Sequence, residues 1–226
     1  DAVGYVLALS EVAYACASTA VVMSVHNSIV CESILRYGDE DQKQQFLKPL
    51  AAGDNIGAFG LTEPNAGSDP VRQKTKAVRD GDHFILNGTK AYITNANYAG
   101  GLTVFAQMDP ARPGFMGAFI VETAWDGVKI GKDMPKMGLK ASSTAAIQFK
   151  NVEVPVENLL WRPADVLKFA MTILNYGRLA LGAGSTGMMR QSLADMKKRA
   201  ATRTQFDIPI NRFELIQEML VRARVN

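Results

Sequence analysis

Two short segments of the 226-residue chain place small, hydroxyl-bearing and aromatic residues at spacings that suit the binding of a phosphate or a flat ring. In FGLTEPNAGSD, at 59–69, Gly67 and Ser68 would let backbone N–H groups approach an anion. The same residue types form ordinary turns, and on their own they favour a turn. In KAYITN, at 90–95, strand alternation puts Tyr92 and Thr94 on one face, although a plain sheet strand would show the same pattern.

Three further groups carry polar side chains that could bind a ligand. Ser142 lies in KASST, which otherwise indicates a Ser/Thr-rich turn. Asn175 and Arg178 are three residues apart and therefore lie on one face of a helix, where an exposed arginine is the simpler interpretation. Arg203 and Phe206 belong to the segment RTQF near the end of the chain.

The cysteines and histidines predict neither a metal site nor a nucleophile. Cys16, Cys31, His26 and His83 are too few and too scattered for zinc. Both cysteines lie in apolar helical surroundings without a CxxC motif, so we expect buried free thiols in a reducing compartment. A Cys/His nucleophile is disfavoured because nothing in the sequence places the partners together.

Charge and hydropathy argue against two other classes. The formal net charge is +3, and the basic residues are spread along the chain, which gives no support to nucleic-acid binding. No stretch is long and apolar enough to predict a transmembrane helix, and the N-terminus lacks the pattern of a signal peptide. The chain opens and ends inside helical patterns, so we expect it to be cut at both ends.

Hydrophobic periodicity divides the chain into three blocks. Residues 1–54 predict the end of a helical domain, in which Asp39 caps a short amphipathic helix with Phe46, Leu47 and Leu50 as its buried stripe. Residues 55–160 predict seven or eight strands of a β-barrel or sandwich-like domain, with a hairpin turn at RDGD.

Residues 161–226 predict a return to helix. Pro163 can open one very long helix, and a loop and the first turns of a further helix follow it. The long helix contains Gly182, Gly184 and Gly187, which either weaken it locally or mark a close approach of another helix.

Taken in order, five segments resemble the acyl-CoA dehydrogenase family: FGLTEPNAGSD, KAYITN, KMGLKASST, LNYGRL and RTQF. The resemblance covers essentially the whole chain. It implies the α+β fold of that family, with a helical domain, a middle β-barrel domain and the start of a C-terminal helical bundle. It also implies an FAD-dependent enzyme that converts an acyl-CoA thioester to the trans-2-enoyl-CoA and passes the electrons to an electron-transfer flavoprotein.

The resemblance implies a set of cofactor-binding residues. Thr62 faces the flavin ring, Tyr92 packs on it, and Thr94 offers its hydroxyl near N5, the flavin atom that accepts the hydride. Arg203 reaches the cofactor pyrophosphate of a neighbouring subunit, which implies a homodimer or homotetramer. The whole implied set is Phe59, Leu61, Thr62, Gly67, Ser68, Tyr92, Ile93, Thr94, Arg203 and Phe206.

The resemblance also implies contacts with the CoA part of the substrate, and it leaves the catalytic base outside these residues. In most of the family the base is a glutamate, which would lie downstream of Asn226; a minority carry it at the position of Gly177. Glu63 is expected to belong to the loop architecture instead. The implied substrate-binding residues are Ser68, Ser142, Asn175 (usually Asp in the family) and Arg178.

Three positions depart from the family pattern: Asp207 and Trp161 replace glycines, and Glu214 replaces a glutamine. These departures support an alternative, a catalytically inactive structural or assembly subunit that keeps the fold. A flavin oxidase or monooxygenase on the same fold is a third alternative. Acyl chain length stays open, with Val25 and Ile29 as candidate pocket residues. The expected location is the mitochondrial matrix or the bacterial cytoplasm.

Overall fold

A computed structural model describes residues 1–109, 111–112, 114–161 and 166–225, apart from the side chain of Leu167. Three helices lead the chain. Helix α1 is Ala2–Ala15, and helix α2 is Ala17–Tyr37, of which Val25–Cys31 is π-helical. Helix α3 consists of Glu40–Gln42, a π-helical stretch Lys43–Leu47, and Lys48–Ala52.

The predicted start of α3 at Asp39 is confirmed. The Gln42 backbone N–H donates to Asp39 Oδ1 at 2.8 Å, and the Asp39 N–H donates to Gln42 Oε1 at 3.2 Å, which forms a capping box. The predicted stripe is partly buried: Leu50 is 4% exposed, while Phe46 and Leu47 are half-buried against the same core. The helix therefore packs through the face that its periodicity predicts.

Eight strands in the middle of the chain form one sheet. Strands β1 to β8 are, in order, Gly57–Gly60, Lys76–Asp80, His83–Thr94, Gly101–Gln107, Met116–Glu122, Val128–Ile130, Thr144–Pro155 and Leu159–Trp161. Their order in the sheet is β6-β7-β3-β2-β4-β5-β8, and β1 pairs with β4 in parallel. The hairpin predicted at RDGD joins β2 to β3, where Asp80 pairs with His83. Two runs that read as separate strands, HFILNG and AYITN, form the single strand β3.

The sheet curls around an apolar core, since Leu86 of β3, Val104 of β4, Val121 of β5 and Ile147 of β7 are fully buried in one cluster. A second cluster fills the space between the sheet and the helices. There Phe105 of β4 packs on Phe169 of the long C-terminal helix, with ring centroids 5.6 Å apart. The helices and the sheet thus share buried side chains.

The long C-terminal helix, α4, is Val166–Thr202 and has 37 residues, as its periodicity predicts. Pro163, the predicted helix opener, lies outside the described residues. A two-stranded hairpin follows, with β9 at Thr204–Gln205 and β10 at Ile208–Pro209, and then α5 at Glu214–Val225.

The glycines of α4 differ in their surroundings. A Cβ at Gly187 would lie 2.2 Å from the Ser10 carbonyl oxygen of α1, so this glycine does mark a close helix approach. At Gly182 and Gly184 an added Cβ would meet nothing within 4 Å.

The expectation that no stretch is apolar and long enough to span a membrane is wrong for α2. Ala17–Tyr37 has 21 residues and meets that test by length and composition. A core helix of a folded domain meets the same test, and α2 contacts both β1 and α4.

The expectation that both thiols are buried is wrong. Cys16 is exposed, because it sits at the break between α1 and α2, and Cys31 is half-buried. The fold does bring a Cys/His pair together: Cys31 Sγ lies 3.7 Å from His26 Nε2. A Cys/His nucleophile nevertheless stays disfavoured, because the hydrogen bonds of His26 occupy both of its ring nitrogens. His26 Nδ1 accepts the Gly57 N–H at 3.1 Å, so Nε2 carries the proton and donates it to the Leu50 carbonyl at 3.1 Å. Burial raises the pKa of the Cys31 thiol to about 11.

Candidate cofactor and substrate site

The two segments that the sequence indicates for ligand binding, LTEPNAGSD and KAYITN, lie side by side in the structure. The ladder between β3 and β7 shifts register between Lys90 and Ile93, which is a β-bulge. In the bulge the Ala91 N–H donates to the Thr62 carbonyl at 2.9 Å instead of to β7. Tyr92 takes a left-handed conformation with φ 59°. The bulge therefore joins the strand KAYITN to the loop LTEPNAGSD.

The side chains expected to meet a flavin fall into two groups. Tyr92 is 65% exposed, and Gly67 and Ser68 are exposed as well. Leu61, Thr62 and Thr94 are half-buried and so keep part of their surface open. By contrast, Ile93 is 2% exposed and lies in the sheet core, and Phe59 packs edge-on against Phe105 at 5.1 Å. Any contact of Ile93 with a ligand on the face of Tyr92 would have to come from its backbone.

These residues fit a nucleotide cofactor with a flat ring. A Cβ at Gly67 would meet nothing within 4 Å, so the backbone there is open to a phosphate. Tyr92 supplies an exposed aromatic face, and the half-buried Thr62 and Thr94 supply hydroxyl groups beside it. The donor set is neutral and aromatic rather than metal-binding. Among the described residues no group of three His, Cys, Asp or Glu side chains could hold a metal ion.

A buried polar network lies directly beneath this loop. Lys90 is 0% exposed, and its Nζ donates to Glu63 Oε1 at 2.8 Å, to Gln73 Oε1 at 2.7 Å and to the Leu61 carbonyl at 3.2 Å. Burial lowers the pKa of the Lys90 ammonium from 10.5 to about 8. Burial acts to raise the pKa of Glu63, but the Lys90 charge and the hydrogen bonds from Lys90 and Thr75 lower it overall. Glu63 is thus part of the loop architecture, as expected.

Lys90 and Gln73 were not predicted from the sequence, although the alternation of β3 indicates that Lys90 faces inward. Phe84 and Leu86 face inward, and strand alternation puts Lys90 on the same inward side. A lysine on a buried face needs a partner, so a search for a nearby acid would have led to Glu63.

An apolar groove of about 310 Å³ runs between α2 and α4. Arg178 lines it, and the Arg178 guanidinium donates to Asn175 Oδ1, so these two predicted residues act as one polar unit. Val25 and Ile29, the candidate pocket residues, also line it. A Cβ at Gly177 would lie 3.1 Å from Ile29, so the groove keeps its width there because residue 177 is glycine.

Asn95, at the end of β3, connects this strand to α2 and β1. Its side-chain amide donates to the Val22 carbonyl of α2 and to the Gly57 carbonyl of β1, both at 3.1 Å. It is fully buried and directly follows Thr94. Sequence reasoning missed this role because an Asn after a strand reads as a turn residue.

The other predicted residues differ in position. Ser142 lies near the end of β3, because the neighbouring Ser143 carbonyl accepts the Asn95 N–H at 3.0 Å and Thr144 pairs with Thr94. It is 3% exposed, and its carbonyl accepts a hydrogen bond from Lys136 Nζ, so its role toward CoA stays a prediction. Arg203 follows the end of α4, and the helix from Arg178 to Thr202 spans about 36 Å at 1.5 Å per residue. Arg203 and the exposed Phe206 therefore do not join the groove of their own chain.

Two of the three departures have local structural explanations. Trp161 packs edge-on against Tyr37, with ring centroids 4.8 Å apart, and stacks with Phe169 at 6.2 Å, so it fills the core between helices and sheet. Asp207 has φ 64° in the two-residue turn between β9 and β10, where a glycine would suffer no strain, and nothing in the structure explains its replacement of glycine. Glu214 is the exposed first residue of α5, where a carboxylate suits the helix dipole.

Comparisons with known proteins agree with this geometry along the whole chain. The sequence matches three family models: acyl-CoA dehydrogenase N-terminal domain over residues 1–54, middle domain over 58–152 and C-terminal domain over 167–226. The chain therefore belongs to the acyl-CoA dehydrogenase family.

Several relatives are similar over nearly all of the chain. It is 38% identical over 97% of its length to the short-chain specific acyl-CoA dehydrogenase of Clostridium acetobutylicum, of which it covers 58%. It is 41% identical over 96% of its length to the mitochondrial short-chain specific acyl-CoA dehydrogenase of Mus musculus, of which it covers 53%. The chain thus spans a little more than half the length of these relatives.

Solved structures give the same picture. The butyryl-CoA dehydrogenase of Megasphaera elsdenii superposes with a TM-score of 0.96 at 37% identity, covering 100% of this chain and 59% of that one. A glutaryl-CoA dehydrogenase of Mycobacterium smegmatis in complex with FADH2 has a TM-score of 0.91 at 39% identity, covering 98% and 56%. A chain from work on the electron transferring flavoprotein of Acidaminococcus fermentans has a TM-score of 0.95 at 39% identity, covering 98% and 59%.

Proposed function

We propose that the protein to which this chain belongs binds FAD and dehydrogenates an acyl-CoA thioester between Cα and Cβ. The observation that carries the proposal is the apolar groove between α2 and α4, which is lined by Arg178 of the Asn175–Arg178 pair. One wall of the groove, α2, is bonded through Asn95 to the end of the strand that carries Tyr92 and Thr94. An apolar groove suits an acyl chain, and a guanidinium suits the phosphates of CoA.

Each part of this site has a separate task. The groove removes the acyl chain from water, and the Arg178 guanidinium holds the anionic end of the substrate. Tyr92, Thr62 and Thr94 would hold the flavin ring, while Gly67 and Ser68 would hold its pyrophosphate. FAD, when bound, supplies a two-electron acceptor for the hydrogen that leaves Cβ.

The base that removes the α-proton is proposed to lie beyond Asn226. The alternative place for it, immediately before Arg178, is Gly177, which has no side chain to take a proton. The pKa of Glu63 is lowered and its carboxylate is buried under Lys90, so it is not a base for the substrate.

Partners and assembly follow from the same proposal. Acyl-CoA is the substrate and an electron-transfer flavoprotein the electron acceptor. The separation of Arg203 from its own groove supports a homodimer or homotetramer in which it meets a neighbour's cofactor. Mitochondrial and bacterial relatives support a location in the mitochondrial matrix or the bacterial cytoplasm.

An inactive subunit is the weaker alternative because all three departures lie outside the groove. Trp161 fills the core, and Asp207 and Glu214 lie in the hairpin and helix after α4. An oxidase is kept as a test outcome, since the prolyl acyl carrier protein oxidase AnaB is also similar, with a TM-score of 0.92 at 30% identity.

The test is anaerobic titration of the purified full-length protein with butyryl-, octanoyl- and palmitoyl-CoA. We expect a yellow protein whose flavin absorbance bleaches with at least one acyl-CoA and not with free CoA. A protein that stays colourless after reconstitution with FAD would refute the proposal. Rapid reoxidation by oxygen after bleaching would assign the oxidase alternative.

The Arg178→Ala variant tests the substrate end of the site. It should lower acyl-CoA affinity by roughly tenfold or more, as expected for loss of a charge-assisted hydrogen bond, and leave bound flavin unchanged. The matched control is Arg190→Ala on the same helix, whose partner is Glu11 of α1 at 2.5 Å. An equal loss of acyl-CoA affinity in both variants would count against a specific role for Arg178.

A further inference from the structure

Lys90 and Glu63 form an unusual ion pair for this chain. Their side chains are 0% and 5% exposed, whereas each other ion pair among the described residues has at least one side chain that is more than a quarter exposed. Removing two charges from water is costly, and an apolar pair of similar volume often stabilises a protein equally well or better. Net stability therefore does not explain this pair, and its geometry has to be considered.

The ammonium of Lys90 uses all three of its hydrogens on one segment of chain. It reaches the Leu61 carbonyl, the Glu63 carboxylate and the Gln73 side-chain carbonyl at 2.7–3.2 Å. These acceptors lie on both sides of residues 64–72. A single group on β3 thus fixes the two ends of the loop that carries Gly67 and Ser68.

Glu63 extends the same connection. Its carboxylate accepts the Lys74 N–H at 2.6 Å and the Thr75 N–H at 3.0 Å. Its own backbone exchanges hydrogen bonds with Ala66 at 3.0 and 3.2 Å, which closes a tight turn. Together with the Ala91 to Thr62 bond, these contacts hold the loop against the bulge of β3.

We infer that Lys90 is a positioning residue, which with Glu63 fixes loop 61–68 against the β3 bulge in the geometry that binds FAD. The inference rests on the proposed function for the identity of the ligand. The side chain lies beneath the loop, so it acts through the loop backbone rather than by touching the cofactor.

Loss of the Lys90 ammonium should weaken FAD binding, because the loop would spend less of its time in the geometry that binds FAD. If the loop is held in the binding geometry only about 1–10% of the time, the apparent Kd rises roughly 10- to 100-fold. The bound flavin should also show a shifted visible absorbance band, because Thr62 and Tyr92 would no longer be fixed beside it.

The test uses the full-length protein with the variant Glu63→Gln/Lys90→Met, which removes both charges and keeps an acceptor oxygen at residue 63. The double change avoids leaving one buried charge unpaired, which the single Lys90→Met change would do. We expect a urea midpoint within about 0.5 M of wild type together with the weaker FAD binding described above. The matched control is Lys76→Met, the same substitution at an exposed lysine of β2, which should bind FAD normally.

A double variant that folds and binds FAD with the wild-type Kd and spectrum would overturn the inference. If the double variant does not fold, hydrogen exchange of the wild-type apoprotein decides instead. The Lys74, Thr75 and Ala91 amides should exchange as slowly as sheet amides such as Val104, and fast exchange there would also overturn it. A wild-type protein that binds no FAD would refute the proposed function instead.

Discussion

The packing of α1 on α4 predicts opposite effects for the same substitution at two glycines five residues apart. A Cβ at Gly187 would lie 2.2 Å from the Ser10 carbonyl oxygen, 2.8 Å from Ala13 Cβ and 2.9 Å from the Tyr14 nitrogen, where ordinary contact begins near 3.4 Å. Two of these three atoms are backbone, so the helices themselves have to separate. A Cβ at Gly182 meets nothing within 4 Å.

The magnitudes follow from two opposing terms. Overpacking between rigid elements lowers the free energy of unfolding by about 3 kcal/mol at the upper end of its usual range. Replacing a helical glycine with alanine raises it by about 1 kcal/mol. Gly187→Ala should therefore lower the free energy of unfolding by about 2 kcal/mol. Gly182→Ala should raise it by up to about 1 kcal/mol, since only the propensity term applies.

The assay is urea unfolding followed by circular dichroism, with both variants compared to wild type at constant m-value. The two variants should differ by about 3 kcal/mol. Equal stabilities, or a Gly187→Ala variant more stable than wild type, would refute the close approach of α1 to α4.

Three further predictions concern the groove, the thiols and the hairpin. Gly184 lines the groove and lies about 10 Å along α4 from Gly177. Gly184→Leu should therefore lower kcat/KM for octanoyl-CoA at least about tenfold more than for butyryl-CoA. Equal losses for the two substrates would contradict an acyl chain that runs along the groove. At pH 8 iodoacetamide should label Cys16, which is exposed and whose pKa is lowered by a hydrogen bond from the Thr19 hydroxyl. It should spare Cys31, because the raised pKa of about 11 keeps Cys31 a thiol. Peptide mass spectrometry would identify the labelled cysteine, and labelling of Cys31 before Cys16 would contradict the prediction. Asp207→Gly should remove the backbone strain of a left-handed non-glycine residue and stabilise the hairpin by about 1 kcal/mol. Hydrogen exchange of the Ile210 amide, which donates to the Arg203 carbonyl, should then slow about fivefold. An unchanged exchange rate would mean that Asp207 is unstrained.

Features set by neighbours in the sequence could be predicted from it. The capping box at Asp39 needs only residues three apart, and the turn at RDGD needs only its own residues and the strands on either side. The motifs also identified the family, because five segments in a fixed order are specific even when each alone is an ordinary turn or strand.

In β3 the alternation of the sequence does not by itself predict which face each side chain occupies. Period two puts Tyr92 and Lys90 on one side of the strand, but the bulge between Lys90 and Ile93 changes the face on which later side chains lie. Lys90 lies before the bulge and is buried, as its alternation with Phe84 and Leu86 indicates. After the bulge, Tyr92 is exposed and Ile93 enters the core. The extra residue in the ladder decided the positions of Tyr92 and Ile93.

Contacts between distant residues were decided only by the tertiary structure. Lys90 and Glu63 are 27 residues apart, and sheet register together with the bulge brings them within 2.8 Å. His26 and Cys31 are close in sequence, yet the Gly57 N–H of β1 sets the histidine tautomer, so that Nε2 donates to the Leu50 carbonyl. The sequence by itself determined the family, and it predicted a set of residues for flavin and CoA. The tertiary structure decided which of them share a face, because a side chain's partner depends on the register of a strand that lies elsewhere in the chain.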